Sequence, residues 1–432
     1  MAAAATDAAT ATRDGQTALA LRLAKHLAPP APGAEDSAAA AIATNKNVAF
    51  SPVSLHAALA LTAAGAHGAT LAQLLAFLGA PSAEELADFG RRVADRVLAD
   101  RSGAGGPRVL FGGGVWVDAS RGGLTDAFRD VAAEAYKSEA RTVSFTEEPE
   151  AAVKMINSWV KKATDNLIES IISTGDINAD TDLVLANAVY FKGDWMEPFQ
   201  PCGTSTFHLL DGRHTKAEFM SMSYYTLRQV ACMDGFKVLK IPYKEAKPDG
   251  GCTKPEDEPS VWPHASKASR YSMFVFLPDT RDGMATMVDV VTASPAFMYS
   301  ILAQMKLRWV NLKLPKFKIT FNRGNLKETL CQLGLTLPFS PEAADLRGMC
   351  DGDEGDGKTR QQALFLSKVA HMAVVNVNEK GTEAGAVAFK LRGGGGPPDI
   401  VEFTADHPFT FFIMEERSGV IVFVGHVLDP TK

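Results

Sequence analysis

The sequence predicts an α+β fold, in which helical and strand patterns are segregated along the chain. Helical patterns dominate the first third: apolar residues recur at helical spacing from Val53 to Leu61 and from Thr70 to Leu78. Strand patterns dominate the last half, which ends in a hairpin of the apolar runs 409–414 and 420–424 around a turn at 416–419. This order favours an α+β fold over a repeating βαβ arrangement.

The composition is that of a globular chain able to bury a large core. Of its 432 residues, 46% are hydrophobic and 22% are charged, which excludes wholesale disorder and fibrous repeats. The formal net charge of −6 offers no general attraction to nucleic acid or to an anionic membrane surface. Because the chain has neither a compact apolar leader nor an apolar run long enough to span a bilayer, we expect a cytoplasmic protein.

The cysteines indicate neither a disulfide framework nor a structural zinc site. They are scattered, and no pair has CxxC spacing. An odd number of lone thiols fits a reducing compartment. The five positions are Cys202, Cys232, Cys252, Cys331 and Cys350.

The elements can be assigned in chain order. We expect residues 1–15 to form a loose tail and residues 16–432 a single domain. After a short strand at 47–50, Ser51 and Pro52 give a helix N-cap followed by proline at the first helical position. The expected helices cover 16–28, 53–61, 70–78, 83–99 and 151–170. The expected strands cover 109–111, 115–117, 183–191, 237–242, 271–277, 310–321, 369–377, 409–414 and 420–424.

The sequence contains no recognisable catalytic or metal motif. It lacks the GxSxG elbow, the GxxxxGK[ST] phosphate loop and the HExxH helix. The acidic run from Asp351 resembles a calcium loop, but its twelfth position is Gln362 instead of a bidentate glutamate, which favours a solvated loop. The three glycines at 112–114 lack the helix start of a dinucleotide site, so we expect a turn between strands there.

The segment 379–398 has an unusual pattern. Its first half places only small side chains on one face of an extended chain, namely Thr382, Ala384, Ala386 and Ala388. A ribbon with one uniformly small face could slot between two existing strands without a clash. Its second half, Arg392 followed by four glycines and two prolines, is typical of an exposed loop with a trypsin-type cleavage point.

Several phrases match, in one order, the motifs of a known family. They are the strand-to-helix phrase at 47–55, the strand with its tryptophan at 185–195, and the phrases at 314–317, 330–339, 345–349, 369–384, 406–409 and 425–430. On these motifs the chain resembles a serpin from about residue 16 to its C-terminus. The pair Leu391-Arg392 and the wording ADHPF at 405–409 look most like plant serpins.

The resemblance implies a fold and a mechanism. A serpin has helices packed around three β-sheets and an exposed reactive-centre loop, here about residues 379–402. A target protease attacks the loop and forms an acyl-enzyme, and the cut loop then inserts as a new strand of the five-stranded central sheet and distorts the protease. The implied function is suicide inhibition of a serine endopeptidase by a monomer that needs no cofactor or metal.

The resemblance also implies roles for individual residues. The shutter, where a His–Asn hydrogen bond can clamp strands that must later part, matches Ser51, Ser54, Asn187 and His371. The breach, where the loop first enters, matches Trp195, and the ion pair at the hinge base matches Lys316 and Glu379. The hinge itself would comprise Glu379, Gly381, Thr382, Glu383, Ala384, Gly385, Ala386, Val387 and Ala388.

Two registers place the scissile bond differently. The family's usual spacing from Gly381 puts it between Gly395 and Gly396, whereas the plant-like register counted back from the strand at 409 puts it between Arg392 and Gly393. Arginine fills an acidic pocket, so the expected targets are trypsin-like proteases, or papain-like cysteine proteases that accept arginine. That choice leaves eleven residues to insert, about three fewer than the family norm and about 36 Å of strand. A non-inhibitory serpin, acting as a protease substrate or as a binding or storage protein, is the alternative.

Overall fold

The computed structural model of the chain describes residues 2–30, 46–178, 180–222, 225–246, 269–351, 363–381 and 399–432. Within these ranges the α-helices are α1 Ala2–His26, α2 Pro52–Ala64, α3 Gly68–Leu78, α4 Ala83–Arg92, α5 Asp126–Tyr136, α6 Pro149–Ala163, α7 Met284–Val291, α8 Pro295–Ala303 and α9 Lys327–Gln332. The strands are β1 Val48–Phe50, β2 Arg108–Asp118, β3 Ser138–Val143, β4 Leu183–Lys192, β5 Gln200–His208, β6 His214–Ser221, β7 Thr226–Met233, β8 Phe236–Pro242, β9 Tyr271–Pro278, β10 Lys306–Pro315, β11 Phe317–Arg323, β12 Lys368–Val377, β13 Ile400–Thr404, β14 Phe409–Glu415 and β15 Val420–Val427. The expected α+β class is confirmed.

The first helix is longer than its apolar pattern indicates. The loose tail expected at residues 1–15 is wrong, because α1 runs without a break from Ala2 to His26. Alanine has the highest helix propensity of all residues, which outweighs the lack of an apolar stripe in the first turns. Gln16 then fixes the helix to the core, since its buried amide nitrogen donates to the carbonyl of Ile421 at 3.0 Å.

Two other helices end earlier than expected. The helix expected over 83–99 is α4 followed by a single π turn at Val93–Val97. The helix expected over 151–170 is α6, which ends at Ala163. Asp165 and Asn166 have φ angles of 50° and 62°, in the left-handed region that a right-handed helix cannot include.

A five-stranded sheet, with strand order β11-β12-β4-β2-β3, carries the regions matched to the shutter and breach. Its strands β4 and β12 are parallel neighbours, with Val184 opposite Lys368 and Phe191 opposite Val375. Helix α6 packs on one face of this sheet, and α2 packs on the other. Coverage of both faces explains the continuous apolar run of β4, which the sequence assigns to a central strand.

The glycines at 112–114 lie inside β2, so the turn expected there is wrong. A Cβ atom on Gly112 would lie 2.8 Å from the Cβ of Ala163 and 3.2 Å from the ring of Trp159, both on α6. Glycine is needed at this point because the end of α6 approaches the strand closely.

The second sheet has ten strands, in the order β1-β15-β14-β9-β8-β7-β10-β6-β5, with β13 paired to β10. Strand β10 pairs with β7 through residues 306–310 and with β6 through residues 313–315. Two of the three sheets implied by the resemblance are therefore joined through β10 into one hydrogen-bonded network. The single strand expected over 310–321 is divided at Lys316, where the chain passes from this sheet to the five-stranded one.

No single helix among the described residues is long and apolar enough to cross a bilayer. Helices α7 and α8 reach that length and hydropathy only as a pair, which is bent by 102°.

Candidate functional site

The four residues matched to the shutter form one buried hydrogen-bonded cluster. The backbone N–H of Ser51, the N-cap of α2, donates to Nε2 of His371 at 3.1 Å. The Oδ1 atom of Asn187 lies 2.5 Å from Nδ1 of His371 and accepts from Oγ of Ser54 at 2.8 Å. All four residues have no exposed surface. The cluster therefore joins α2 to two strands of the five-stranded sheet.

Strand periodicity explains why these side chains meet. Asn187 of β4 and His371 of β12 are direct cross-strand partners. Along β4, Leu185 and Val189 face the large core on the α2 side, whereas Ala186 and Ala188 lie beneath α6. Alternation places Asn187 on the α2 side with Leu185 and Val189, where Ser51 and Ser54 begin the helix.

The hydrogen bonds fix the tautomer of His371. Because the N–H of Ser51 is a donor, Nε2 must accept, and the ring proton lies on Nδ1 and is donated to Asn187. Burial lowers the pKa of His371 to about 3. A neutral imidazole therefore links β4 to β12 across the physiological pH range.

At the breach, Trp195 is buried in the connection between β4 and β5, residues 193–199, which we call the breach loop. Its indole stacks on Tyr243 with ring centroids 4.4 Å apart, and its Nε1 donates to the carbonyl of Asn378 at 2.9 Å. Its backbone N–H donates to the carbonyl of Lys380 at 3.2 Å.

The breach loop thus holds the turn at residues 378–381, which follows β12 and which we call the hinge turn. A further bond runs from the N–H of Phe199 to the carbonyl of Glu379, at 2.8 Å. Three consecutive carbonyls of the hinge turn, those of 378, 379 and 380, accept from the breach loop. The entry point of the proposed hinge is therefore defined by backbone hydrogen bonds.

Gly381 ends the hinge turn in a conformation that only glycine adopts without strain. Its φ angle is +70°. A Cβ atom there would lie 2.2 Å from the backbone nitrogen of Trp195 and 2.5 Å from the carbonyl oxygen of Gly193. Both the backbone angle and the close approach of the breach loop require glycine.

Lys316, at the crossing from β10 to β11, is the centre of a three-charge cluster. Its Nζ lies 3.0 Å from Glu379 and also contacts the carboxylate of Glu218 on β6. Hydrogen bonds to Glu218 and Glu379 raise the pKa of Lys316. Burial opposes ionisation of Glu379, but bonds from its own backbone N–H and from Lys316 outweigh that effect and lower its pKa. Since these side chains are partly exposed, we expect the cluster to position the hinge turn more than to stabilise the fold.

The sequence motifs did not reveal every residue of this region. Glu218 is a second partner of Lys316, Tyr243 supports Trp195, and Asn378 accepts the indole N–H. These contacts depend on pairing between β6 and β10 and between distant loops, for which no local pattern in the sequence gives a signal.

The residues predicted to form the reactive bond, Arg392, Gly393, Gly395 and Gly396, lie outside the described residues. The same is true of hinge residues 382–388. In the part of the chain that the structure describes, no group of three or more His, Cys, Asp or Glu side chains could hold a metal ion.

Comparisons with known proteins show the family to which the chain belongs. The model of the serpin (serine protease inhibitor) family matches residues 16–430. Rice serpin-Z2A is 42% identical over 433 residues, covering 97% of each chain, and wheat serpin-Z2B is 41% identical over 391 residues, covering 90% of this chain and 91% of the other. Arabidopsis AtSerpin1 in its native stressed conformation is 33% identical, with a TM-score of 0.80 and 98% of each chain covered.

A likeness of fold alone extends to more distant proteins. A thyroxine-binding globulin in complex with thyroxine has a TM-score of 0.73 at 22% identity, covering 97% of this chain and 99% of the other. The family match over nearly the whole chain and the similarity to plant serpins lead to one conclusion. The chain is a serpin, a member of a family of protease inhibitors.

Proposed function

We propose that this serpin inhibits trypsin-like serine proteases by suicide-substrate loop insertion. Papain-like cysteine proteases that accept arginine would be further targets, and the reactive bond would join Arg392 to Gly393. The observation that carries the proposal is the arrangement of β4 and β12, which are parallel neighbours with the hinge turn at their common end.

This arrangement suits a returning strand. A segment that leaves the end of β12 and folds back is antiparallel to β12, and therefore also to β4. Its insertion replaces one parallel pairing by two antiparallel ones, which are slightly more stable per residue. The inserted strand also gains two rows of backbone hydrogen bonds.

A strand that ends at Arg392 is long enough to pair with β12. β12 has 10 residues, which is about 33 Å at 3.3 Å per residue. The eleven residues from Thr382 to Arg392 make a strand of about 36 Å. The loop is short for the family, yet it suffices to run beside the whole of β12.

Trypsin provides the first test. Incubation should give an SDS-stable covalent complex and a C-terminal fragment whose N-terminal sequence starts at Gly393. Because trypsin does not cleave after glycine, the alternative reactive bond would be favoured by a complex that forms only with a protease that cleaves after small residues, together with a fragment that starts at Gly396. Clean cleavage without a complex would reject inhibition and favour the substrate alternative.

Two matched hinge variants test insertion itself. Ala384→Arg places a charge on the small face of the proposed strand and should abolish complex formation while cleavage continues. Glu383→Arg places the same charge on the opposite face and should leave complex formation largely unchanged. Equal inhibition by the two variants would contradict the insertion mechanism.

A binding protein is the second candidate, and one observation favours it. A surface cleft of about 360 Å³ is lined by residues that include Arg13, Lys240, Tyr299 and Arg417. That volume lies in the range of small-molecule sites, and the likeness in fold to a thyroxine-binding globulin shows that this architecture occurs in a ligand carrier. For such a protein, cutting the loop should neither form a complex nor raise the thermal unfolding temperature.

We further propose that the protein works in the cytoplasm as a monomer. Among the described cysteines, Cys202, Cys232, Cys331 and Cys350 are free thiols, which suits a reducing compartment. Fractionation of tissue with an antibody, followed by gel filtration of the soluble fraction, tests both points.

A further inference from the structure

An ion pair fastens the breach loop to the ten-stranded sheet. Arg228 of β7 donates from Nη1 to Oε1 of Glu197 at 3.2 Å and from Nη2 to Oε2 at 2.7 Å. The side chain of Arg228 is 9% exposed, whereas that of Glu197 is 57% exposed. Such a two-bonded arginine–carboxylate pair fixes orientation as well as distance.

The arginine is itself held in place. Its Nη1 also donates to the carbonyl of Leu227 at 2.9 Å, and its Nη2 lies 3.9 Å from the sulfur of Met222. Its orientation is therefore set by β7 and the end of β6, so the pair ties the breach loop to a fixed guanidinium.

Glu197 lies close in sequence to both residues of the breach loop that donate backbone hydrogen bonds to the hinge turn. It lies between Trp195 and Phe199, whose backbone N–H groups donate to the carbonyls of Lys380 and Glu379 in the hinge turn. Glu197 is two residues away from each donor, so a change in its position can be passed to both. A chain of contacts runs from β7 through Arg228, Glu197 and the two amides to the hinge turn.

We propose that Arg228 and Glu197 form a clamp that holds the breach loop against the hinge turn and thereby limits how readily the loop inserts between β4 and β12. Both act as positioning residues. The first half of the proposal concerns the intact protein alone, and only the effect on insertion rests on the proposed function.

The clamp is asymmetric, which makes the two single variants informative. Glu197→Gln leaves a buried guanidinium with a weaker partner, whereas Arg228→Met leaves a carboxylate that is already mostly in water. We therefore expect Glu197→Gln to have the larger effect. Combining the two changes should cost less than the sum of the single effects, because both remove the same contact.

Amide hydrogen exchange of the intact protein tests the clamp directly. Exchange in peptides containing the amides of Trp195 and Phe199 should accelerate by roughly tenfold or more in Glu197→Gln, and by less in Arg228→Met. Exchange in the buried centre of β4 should not change. Asp279→Asn, which breaks the pair between Lys237 and Asp279 (2.8 Å) in the same sheet, is the matched control and should leave the breach loop unaffected.

Unchanged exchange at Trp195 and Phe199 in both clamp variants would overturn the proposal, as would equal acceleration throughout the sheet. If Glu197→Gln does not fold, the exchange rates of Arg228→Met alone test the clamp. On warming, trypsin-inhibiting activity should be lost several-fold faster in the clamp variants than in the parent or the control, and equal rates would overturn the link to insertion. If the parent forms no complex with trypsin, the proposed function is rejected. The hydrogen-exchange rates of the variants then still show whether Arg228 and Glu197 hold the breach loop.

Discussion

At the scale of single residues, the shutter shows how a side-chain contact can add to the backbone hydrogen bonds that join two strands. The bond between Asn187 and His371 adds a specific link to the ladder between β4 and β12. Because it is fully buried, loss of one partner leaves the other unpaired and away from bulk solvent.

Asn187→Ala should therefore destabilise the closed sheet by about 1–3 kcal/mol, since Nδ1–H of His371 loses its acceptor. Ser54→Ala should cost less, because Asn187 still accepts from His371. Thermal unfolding of both variants beside the parent measures the difference. An equal or larger loss for Ser54→Ala would contradict this account of the shutter.

Gly381→Ala should destabilise the hinge turn through both its φ of +70° and its contact with the breach loop. The matched control is Gly212→Ala in the β5–β6 turn, where φ is +81° but a Cβ would meet nothing within 4 Å. The control carries only the backbone strain, about 1 kcal/mol, and Gly381→Ala should exceed it clearly in a urea unfolding series. Similar urea midpoints for the two variants would show that the close contact between Gly381 and the breach loop adds nothing to the free energy of unfolding.

At this scale, the sequence predicts a residue of the site only where that residue lies within a family motif. Asn187 and His371 lie in strand phrases that a family pattern identifies, and both are found in the cluster that the pattern implies. Glu197 and Arg228 belong to no such phrase. Their pairing depends on where β7 lies relative to the breach loop, which is a property of the whole fold.

At the scale of elements, the sequence predicts best the strands whose buried residues form an uninterrupted apolar run. β4, β14 and β15 are nearly continuous apolar runs, and each is a strand close to its expected bounds. The strands β3, β5, β6 and β7 were not expected, because exposed polar residues interrupt their apolar pattern. The division between β10 and β11 at Lys316 does have a local signal: Pro315 lacks a backbone donor, and the alternating apolar positions change there from even (310, 312, 314) to odd (317, 319, 321).

The packing of α6 on β2 gives a prediction at this scale. Gly112→Ala should destabilise the protein by about 1–3 kcal/mol, because the new methyl group would lie 2.8 Å from the Cβ of Ala163. The compensating change Ala163→Gly should recover part of that loss by restoring the space. Denaturant unfolding of the two single variants and the double variant measures the coupling, and strict additivity would contradict direct contact between the helix and the strand.

At the scale of the whole molecule, buried histidines make stability depend on acidity. Burial lowers the pKa of His56 to about 4, that of His371 to about 3 and that of His426 to about 4. Between these values and about 6.5, the unfolded chain binds protons that the folded chain cannot bind. The stabilising contribution of each histidine is therefore complete above pH 6.5 and is lost as the pH falls toward its folded pKa.

We expect the free energy of unfolding to be flat near pH 7.5 and to fall below pH 6.5, by up to about 1.4 kcal/mol per pH unit for each of these histidines. Thermal unfolding at a series of pH values from 7.5 to about 4.5 measures the slope. His56→Gln, which removes one titrating group, should make the slope smaller. An unchanged slope would show that His56 does not contribute.

The C-terminal hairpin has a consequence for biosynthesis. Strands β14 and β15 are buried along their whole length and lie between β9 and β1, the strand at one end of the larger sheet, which precedes them far back in the chain. During translation, β1 and β9 keep unsatisfied edges until β14 and β15 leave the ribosome. Nascent chains that stall shortly before that point should be ready substrates for chaperones and proteases, and truncation that removes the buried residues Leu428 and Asp429, which bind Asn47, should not be tolerated.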